Sequence, residues 1–261
     1  MEETLRALED LVKEGKIRHY GIGHLPKERV LTYLDKGNVF TIMAELSAVA
    51  RDALTEILPL CTEERPYIIA FSVTGRGILT GKITENTTFS KGDIRNFDPL
   101  FQRERFKSAL RIQKQLEKMG EKYGKSSVQM GINWVLSHKE VMTALIGPSK
   151  IEHLEENLGS CGWRIDEEDL NVLQKLFEDE EKLLKKANVQ LVKEIISTPV
   201  TDSGRAFSDL IYAIETAITM SLADENELVA VFKEIYKMKD DLSSEKLEKY
   251  RKVLSELITL D

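Results

Sequence analysis

The chain has 261 residues, of which 42% are hydrophobic, so it is long enough for one large domain or two small ones with a sizeable core. Its formal net charge of −7 argues against a nucleic-acid-binding protein, which would carry a basic face. No apolar run reaches the length of a membrane span, and the first residues form an acidic helical pattern rather than a signal peptide, so a cytoplasmic protein without membrane association is expected.

Cysteine and histidine are few and scattered. Cys61 and Cys161 lie far apart in the sequence, which favours two unpaired thiols in a reducing compartment over a disulfide framework. The histidines form no cluster with ligand-like spacing, so no metal site is predicted: His19, His24, His138 and His153.

Helical and strand-like patterns alternate over the first part of the chain. Helices are predicted at 3–15, 26–36, 52–61, about 101–123, 127–138 and from 151, with an early end at Pro59 as the alternative for the third. Strands are predicted at 17–23, 39–45, 67–73 and 141–146. This alternation predicts right-handed βαβ units and a parallel sheet of about four strands, too few to close an eight-stranded barrel.

The third predicted strand leads directly into a glycine-rich loop. Gly75, Gly77 and Gly81 let the backbone approach a ligand closely, and successive N–H groups in such a turn form a concave anion site. With Arg76 between the first two glycines, the loop is a candidate seat for a diphosphate. The alternative is an ordinary tight turn, since the spacing is not that of a Rossmann dinucleotide fold.

From about residue 166 no strand-like run appears. A heavily charged helix is predicted at 166–187, followed by three shorter apolar-striped helices. Ser244 is the predicted N-cap of the last helix, after a boundary at 240–244. We expect two domains, 1–182 and 188–261, the second being a small helical bundle or a lid.

Four stretches, in order, resemble the C-terminal half of an aldo-keto reductase. Residues 3–18, running into Tyr20-Gly-Ile-Gly23, resemble a helix and strand in the middle of that barrel. Residues 71–82 resemble its pyrophosphate loop, 127–136 the helix before its last strand, and 146–157 its nucleotide-phosphate and adenine site. The resemblance covers residues 1–182 and implies an α/β fold, a partial (half) TIM-type barrel, followed by an all-α region.

The resemblance also implies a cofactor site, because this family binds NADPH at the carboxyl ends of its strands and reduces carbonyls. Ser149 and Lys150 fall at a helix start, where free N–H groups favour an anion, and the lysine charge favours NADP(H) over NAD(H). Alternatively, Ser149 only caps the helix and Asn157 is an ordinary surface residue. The residues implied in cofactor binding are Ser72, Gly75, Arg76, Gly77, Ser149, Lys150, His153, Glu156 and Asn157.

The reacting end of the family's site is not matched. Its catalytic Asp, Tyr, Lys and His come from early strands that precede the matched region, so no catalytic residue is predicted here. Gly23-His24 stand where the family usually has a Ser-Asn pair, and Met43 and Leu46 where it has Gln and a nicotinamide-stacking Tyr. The tyrosines do not fall in the family's motif, so no tyrosine with a neighbouring Lys and Asp can be proposed as a general acid. We therefore expect a chain that is non-catalytic alone and binds at most part of NADP(H).

Two other functions stay open. One is an NADP-dependent carbonyl reductase whose N-terminal half another chain supplies; the other is a partner-binding protein that acts through its helical tail. A half barrel leaves two sheet edges and one sheet face uncovered. The cover is expected to be the region 188–261, a second copy in a homo-oligomer, or a complementing chain.

Overall fold

The computed structural model describes residues 1–62, 65–237 and 243–259. Its helices and strands follow in chain order: α1 (Glu2–Lys13), β1 (Gly21–Ile22), α2 (Lys27–Lys36), β2 (Thr41–Glu45), α3 (Ala53–Glu56), β3 (Tyr67–Phe71), α4 (Arg103–Tyr123), α5 (Ser127–Leu136), β4 (Val141–Ala144), α6 (Ile151–Leu158), α7 (Glu167–Ser197), α8 (Ser203–Thr219), α9 (Glu225–Lys237) and α10 (Ser244–Leu257). Within the described ranges, no helix is long and apolar enough to cross a membrane.

The four strands form one parallel sheet in the order β1-β2-β3-β4. Burial alternates along β2 and β3, because side chains at every second position face the helices. Ile42 and Ile68 on the helix-facing side are 1% and 0% exposed, whereas Met43 and Ile69 on the other side are only half-buried. The predicted α/β fold with four parallel strands is confirmed.

Three features of its sequence fix helix α5 against its neighbours. Ser126 and Gln129 form a capping box at its start, which satisfies two backbone donors. Gly131 packs so closely that a Cβ there would lie 2.6 Å from Leu79 Cδ1. The side-chain amide of Asn133, 5% exposed, fixes the segment that follows α6.

Several predicted boundaries were wrong. The strand predicted at 17–23 is paired only at Gly21–Ile22. The helix predicted at 52–61 takes its alternative early end, at Glu56, and Pro59 lies in a 3₁₀ turn at Leu58–Leu60. Helix α7 continues to Ser197, ten residues beyond the predicted end at 187.

At the last helix, the N-cap is Ser243 rather than Ser244. The Ser243 hydroxyl accepts a hydrogen bond from the Lys246 N–H at 3.3 Å. Residues 238–242, which carry most of the predicted boundary at 240–244, lie outside the described residues.

By its internal contacts the chain divides into two compact units, Met1–Phe177 and Glu178–Asp261, and the division falls inside α7. The second unit has a hydrophobic cluster of its own, contributed by α7 to α10 and the residue after α10: Val192, Ile196, Leu210, Ala213, Ile214, Ala217, Leu228, Ile235, Leu247, Leu254 and Ile258. A bundle of this kind buries its apolar stripes against one another. The predicted domain limits of 182 and 188 stay predictions.

Candidate functional site

The residues implied in phosphate binding lie on two neighbouring loops at the carboxyl edge of the sheet. Strands β3 and β4 pair with Ala70 opposite Ala144, and the Leu145 N–H donates to the Ala70 carbonyl at 2.7 Å. Because the strands are parallel, the loop after β3 and the loop after β4 leave the sheet at the same edge. Ser72 to Gly77 begin the first loop, and Ser149 and Lys150 end the second.

The glycine-rich loop forms a tight left-handed turn. Gly75, Arg76 and Gly77 have φ values of +59°, +52° and +98°, and a Cβ on Gly75 would lie 2.5 Å from Val49 Cγ2. The turn uses two of its own donors, because the Gly75 N–H donates to the Ser72 carbonyl at 2.8 Å and the Gly77 N–H to the Thr74 carbonyl at 3.2 Å. These two N–H groups are therefore not free to hold an anion in this conformation.

The Arg76 side chain is held by two carboxylates. Its Nη1 lies 2.6 Å from Glu45 Oε1, and its Nη2 donates to Glu45 Oε2 at 3.0 Å. Its Nε lies 2.7 Å from Asp98 Oδ2. The positive charge of Arg76, which the sequence suggested as a partner of a diphosphate, is therefore already compensated by Glu45 and Asp98.

A cleft of about 300 Å³ lies beside this cluster. Glu45, Asp52, Glu56 and Asp98 line it together with Arg76, Arg105 and His24. Four carboxylates against two guanidinium groups give the lining an acidic balance, which disfavours an anionic ligand inside the cleft itself.

The start of α6 is open. Lys150 occupies the N-cap position, and no side chain caps the first turn by a hydrogen bond, so the alternative that Ser149 caps this helix is wrong. Both Ser149 and Lys150 are exposed. Later on the helix, His153, Glu156 and Asn157 are half-buried, and the Glu156 carbonyl accepts from Gln129 Nε2 at 2.7 Å.

The positions that the resemblance places around the nicotinamide ring are Gly23-His24, Met43 and Leu46. Leu46, just after β2, is 0% exposed and packs in the core. His24 lies edge-on to Phe71 with 5.3 Å between ring centroids, and Met43 is half-buried on β2.

The tyrosines of the first unit all lie away from the carboxyl edge. Tyr20, before β1, donates to Glu9 Oε1 at 2.5 Å, and burial together with this bond raises the pKa of Tyr20 to about 12. Tyr33 lies on α2, and Tyr67 is the first residue of β3.

Tyr123 has neighbouring lysine and aspartate side chains, contributed by α4 and by the start of α7. Its hydroxyl donates to Asp166 and, at 2.5 Å, to Asp169, while Lys122 Nζ lies 2.8 Å from the same Asp169. Burial and these carboxylates raise the pKa of Tyr123 to about 12. The cluster ties the end of α4 to the start of α7 and lies on the helices. Within the described residues, no group of three or more His, Cys, Asp and Glu is placed to hold a metal ion.

A parallel sheet with helices on one face and its loops gathered at the carboxyl edge defines a protein built like part of a (β/α) barrel. The family model described as "Aldo/keto reductase family" matches residues 1–178. The chain therefore belongs to the aldo/keto reductase family, and the predicted family is confirmed.

Individual relatives match the same part of the chain. Aldo-keto reductase YhdN of Bacillus subtilis is 32% identical over 180 residues, which are 69% of this chain and 54% of that protein. The NADH-specific methylglyoxal reductase of Escherichia coli is 26% identical over 176 residues, 67% of this chain and 53% of that protein. The structure of a glycerol dehydrogenase from Gluconobacter oxydans is similar with a TM-score of 0.63 and 30% identity, over 69% of this chain and 54% of that one. The chain spans about half the length of the curated relatives that it matches.

Proposed function

We propose that the unit Met1–Phe177 binds the phosphate end of a nicotinamide dinucleotide, NADP(H) in preference to NAD(H), and that this chain by itself does not reduce carbonyls. The main observation in favour of cofactor binding is the uncapped first turn of α6, with Lys150 at its N-cap. In this function the protein is a cofactor-binding member of an oxidoreductase family, acting as a sensor or a subunit in the cytoplasm.

The α6 terminus fits a phosphate by its chemistry. The first N–H groups of a helix lack partners within the helix, and they point toward an anion at the positive end of the helix dipole. Lys150 adds a positive charge at the same point, where a 2′-phosphate distinguishes NADP(H) from NAD(H). Ser149 beside it brings a hydroxyl that can donate to a phosphate oxygen.

The glycine-rich loop fits a phosphate less completely than the α6 terminus does. Gly75 and Gly77 use their N–H groups within the turn, and Arg76 is held by Glu45 and Asp98. We therefore assign the main phosphate contact to α6. The close backbone of the loop, with Ser72 and the two glycines, serves to admit the diphosphate between the two loops.

The nicotinamide ring of such a cofactor supplies a hydride, but the residues at the ring end do not fit that chemistry. Leu46 is buried where a stacking ring is needed, and Gly23-His24 and Met43 lack the amide groups that orient the ring. None of the four tyrosines of the first unit lies at the carboxyl edge of the sheet to donate a proton. Loss of a general acid alone lowers a rate by roughly a hundredfold to ten-thousandfold.

Titration of the purified chain with NADP⁺ and with NAD⁺ tests the binding half. Saturable binding of NADP⁺, tighter than that of NAD⁺, is expected. Lys150→Met should weaken NADP⁺ binding by about tenfold or more, the usual effect of losing a charge-assisted hydrogen bond, and should leave NAD⁺ binding nearly unchanged. Lys118→Met, an exposed lysine on α4, is the matched control. Absence of saturable binding up to millimolar concentration contradicts the proposal.

A second candidate is a carbonyl reductase whose remaining half barrel comes from elsewhere. An open apolar edge favours it. On β4 and just after it, Met142 and Leu145 are 48% and 46% exposed. Helix α6 buries none of its residues and exposes Ile151 and Leu158 on one stripe. We propose a complementing chain as the cover of this edge, with a second copy in a homo-oligomer as the alternative.

Adding a polypeptide that contains the early strands of the family distinguishes a reductase completed by a second chain from a chain that only binds the cofactor. A reading frame next to this one that encodes those strands, with the catalytic Asp, Tyr, Lys and His, is its natural source. Reduction of an aldehyde by the mixture, with neither component active alone, supports the second candidate. A mixture that stays inactive, although the two polypeptides co-elute, removes it.

A further inference from the structure

A second cleft lies at the amino edge of the sheet, opposite the edge that carries the candidate phosphate site. Its volume is about 380 Å³, which is within the range of pockets that hold small organic molecules. Tyr67 is the first residue of β3, and Glu140 immediately precedes β4, so both lie where parallel strands begin. The residues that line this amino-edge cleft are Cys61, Thr62, Tyr67, Lys139 and Glu140.

The sheet fixes the backbone around the amino-edge cleft. The Ile68 N–H donates to the Glu140 carbonyl at 2.8 Å, which joins the starts of β3 and β4. The Tyr67 N–H donates to the Phe40 carbonyl at 2.9 Å, and the Phe40 ring lies edge-on to the Tyr67 ring with 5.4 Å between centroids. Side chains on strand ends that are paired in this way are held more precisely than side chains on a loop.

Three polar side chains of the amino-edge cleft have no protein partner. Within residues 1–62, 65–237 and 243–259, the Tyr67 hydroxyl, the Lys139 ammonium group and the Glu140 carboxylate make no hydrogen bond and no ion pair. Thr62 differs, because its hydroxyl donates to the Arg65 carbonyl at 2.6 Å. Lys139 is exposed, whereas Glu140 and Tyr67 are half-buried. The cleft therefore presents one cation, one carboxylate and one hydroxyl that a ligand can engage.

Cys61 gives the same cleft an uncharged, weakly polar surface. Its Sγ lies 3.9 Å from the Ile57 carbonyl oxygen. Burial, together with the negative charge of Glu140, raises the pKa of the Cys61 thiol, so the thiol is neutral near pH 7. A neutral thiol packs like a small hydrophobic group, and the Tyr67 ring adds a larger apolar surface. The cleft thus combines two opposite charges with an apolar patch.

We propose that the amino-edge cleft binds a free amino acid, whose carboxylate pairs with Lys139 and whose ammonium group pairs with Glu140. The Tyr67 hydroxyl donates a further hydrogen bond to the ligand carboxylate, and the ligand side chain lies against Cys61 and the Tyr67 ring. A ligand that carries both charges satisfies both charged residues, whereas a singly charged molecule leaves one of them unpaired. The site lies at the other edge of the sheet from the proposed dinucleotide site and does not depend on it.

Protection of Cys61 from iodoacetamide, measured on the full chain without nucleotide, tests whether the cleft takes such a ligand. Each of the common L-amino acids except cysteine is added separately, up to millimolar concentration, and mass spectrometry follows both thiols. At least one amino acid should slow the alkylation of Cys61 saturably, by about tenfold at ten times its Kd. Cys161, which is exposed, is the internal control and should change by less than about twofold. If no amino acid protects Cys61, the proposal is overturned.

Calorimetry with the most protective amino acid then tests the two charge pairs. Its analogue without the amino group and its analogue without the carboxylate should each bind about tenfold more weakly or less tightly still. Lys139→Met should weaken the amino acid by about tenfold and leave the amine analogue unchanged, and Glu140→Gln should do the same for the acid analogue.

Lys118→Met, an exposed lysine on α4, is the matched control for these variants and should bind the amino acid within about twofold of the unchanged protein. Lys139 and Glu140 have no side-chain partner in the described chain, so neither substitution should prevent folding. An analogue that binds as tightly as the amino acid, or a Lys139→Met variant with unchanged affinity, overturns the pairing.

Discussion

Asn133 is the buried polar residue whose loss should weaken the first unit most clearly. Its Nδ2 donates to the carbonyls of Ser160 and Trp163, each at 2.9 Å, and its Oδ1 accepts the Ile165 N–H at 3.2 Å. The three bonds hold the segment between α6 and α7 against α5. Asn133→Ala removes all of them and leaves two carbonyls and one N–H without a partner.

The expected cost follows from these contacts. A hydrogen bond contributes about 1 kcal/mol net, so three bonds give about 3 kcal/mol of unfolding free energy, and more if water does not reach the abandoned groups. Urea unfolding followed by tryptophan fluorescence measures it, since the two tryptophans, Trp134 and Trp163, both lie in the first unit. Asn96→Ala, whose exposed amide donates only to the Ser90 carbonyl at 2.9 Å, is the control. A loss below about 1 kcal/mol for Asn133→Ala refutes the reasoning.

Two further predictions concern ionisable groups. The Arg251 guanidinium, with the Val200 N–H, lowers the pKa of Glu248 to about 2, so its stabilising contribution is present above the ordinary value of 4.5 and is lost as the pH falls toward 2. Thermal unfolding of the second unit by circular dichroism should therefore become less pH-dependent in that window in Glu248→Gln, and an unchanged pH profile speaks against this pair. Burial raises the pKa of Cys61 to about 11, whereas Cys161 is exposed. Iodoacetamide at mildly alkaline pH should therefore modify Cys161 first, as measured by mass spectrometry. Modification of Cys61 before Cys161 contradicts the burial of Cys61.

The parts of the fold that sequence patterns predict well are those set by neighbouring residues. Helix α6 begins at Ile151, where the apolar spacing predicts its start, and the strand count follows from four short apolar runs. Strand β1 is shorter than its pattern, because only Gly21 and Ile22 pair with β2, opposite Thr41 and Ile42. Helix α7 is longer than predicted because Val192 and Ile196 pack into the cluster of the second unit, which extends the helix beyond its first stripe.

Sequence patterns predict the candidate site only in part, because they reveal features set by neighbouring residues and not contacts between distant ones. The glycine turn and the α6 terminus are local features, and in the structure both lie at the carboxyl edge of the sheet. The partners of Arg76 are not local, since Glu45 precedes it by 31 residues and Asp98 belongs to a loop without periodicity. The Tyr123 cluster likewise joins residues 43 and 46 positions apart, which a charge run in sequence does not reveal.

The central claim is that this chain binds the phosphate end of a dinucleotide and lacks the residues that act at the nicotinamide ring. The most direct measurement follows NADPH fluorescence as the purified chain is titrated, and then after an aldehyde is added to the complex. A saturable fluorescence change with no consumption of NADPH is the predicted result. Steady oxidation of NADPH by the chain alone, at a rate that scales with its concentration, contradicts the claim.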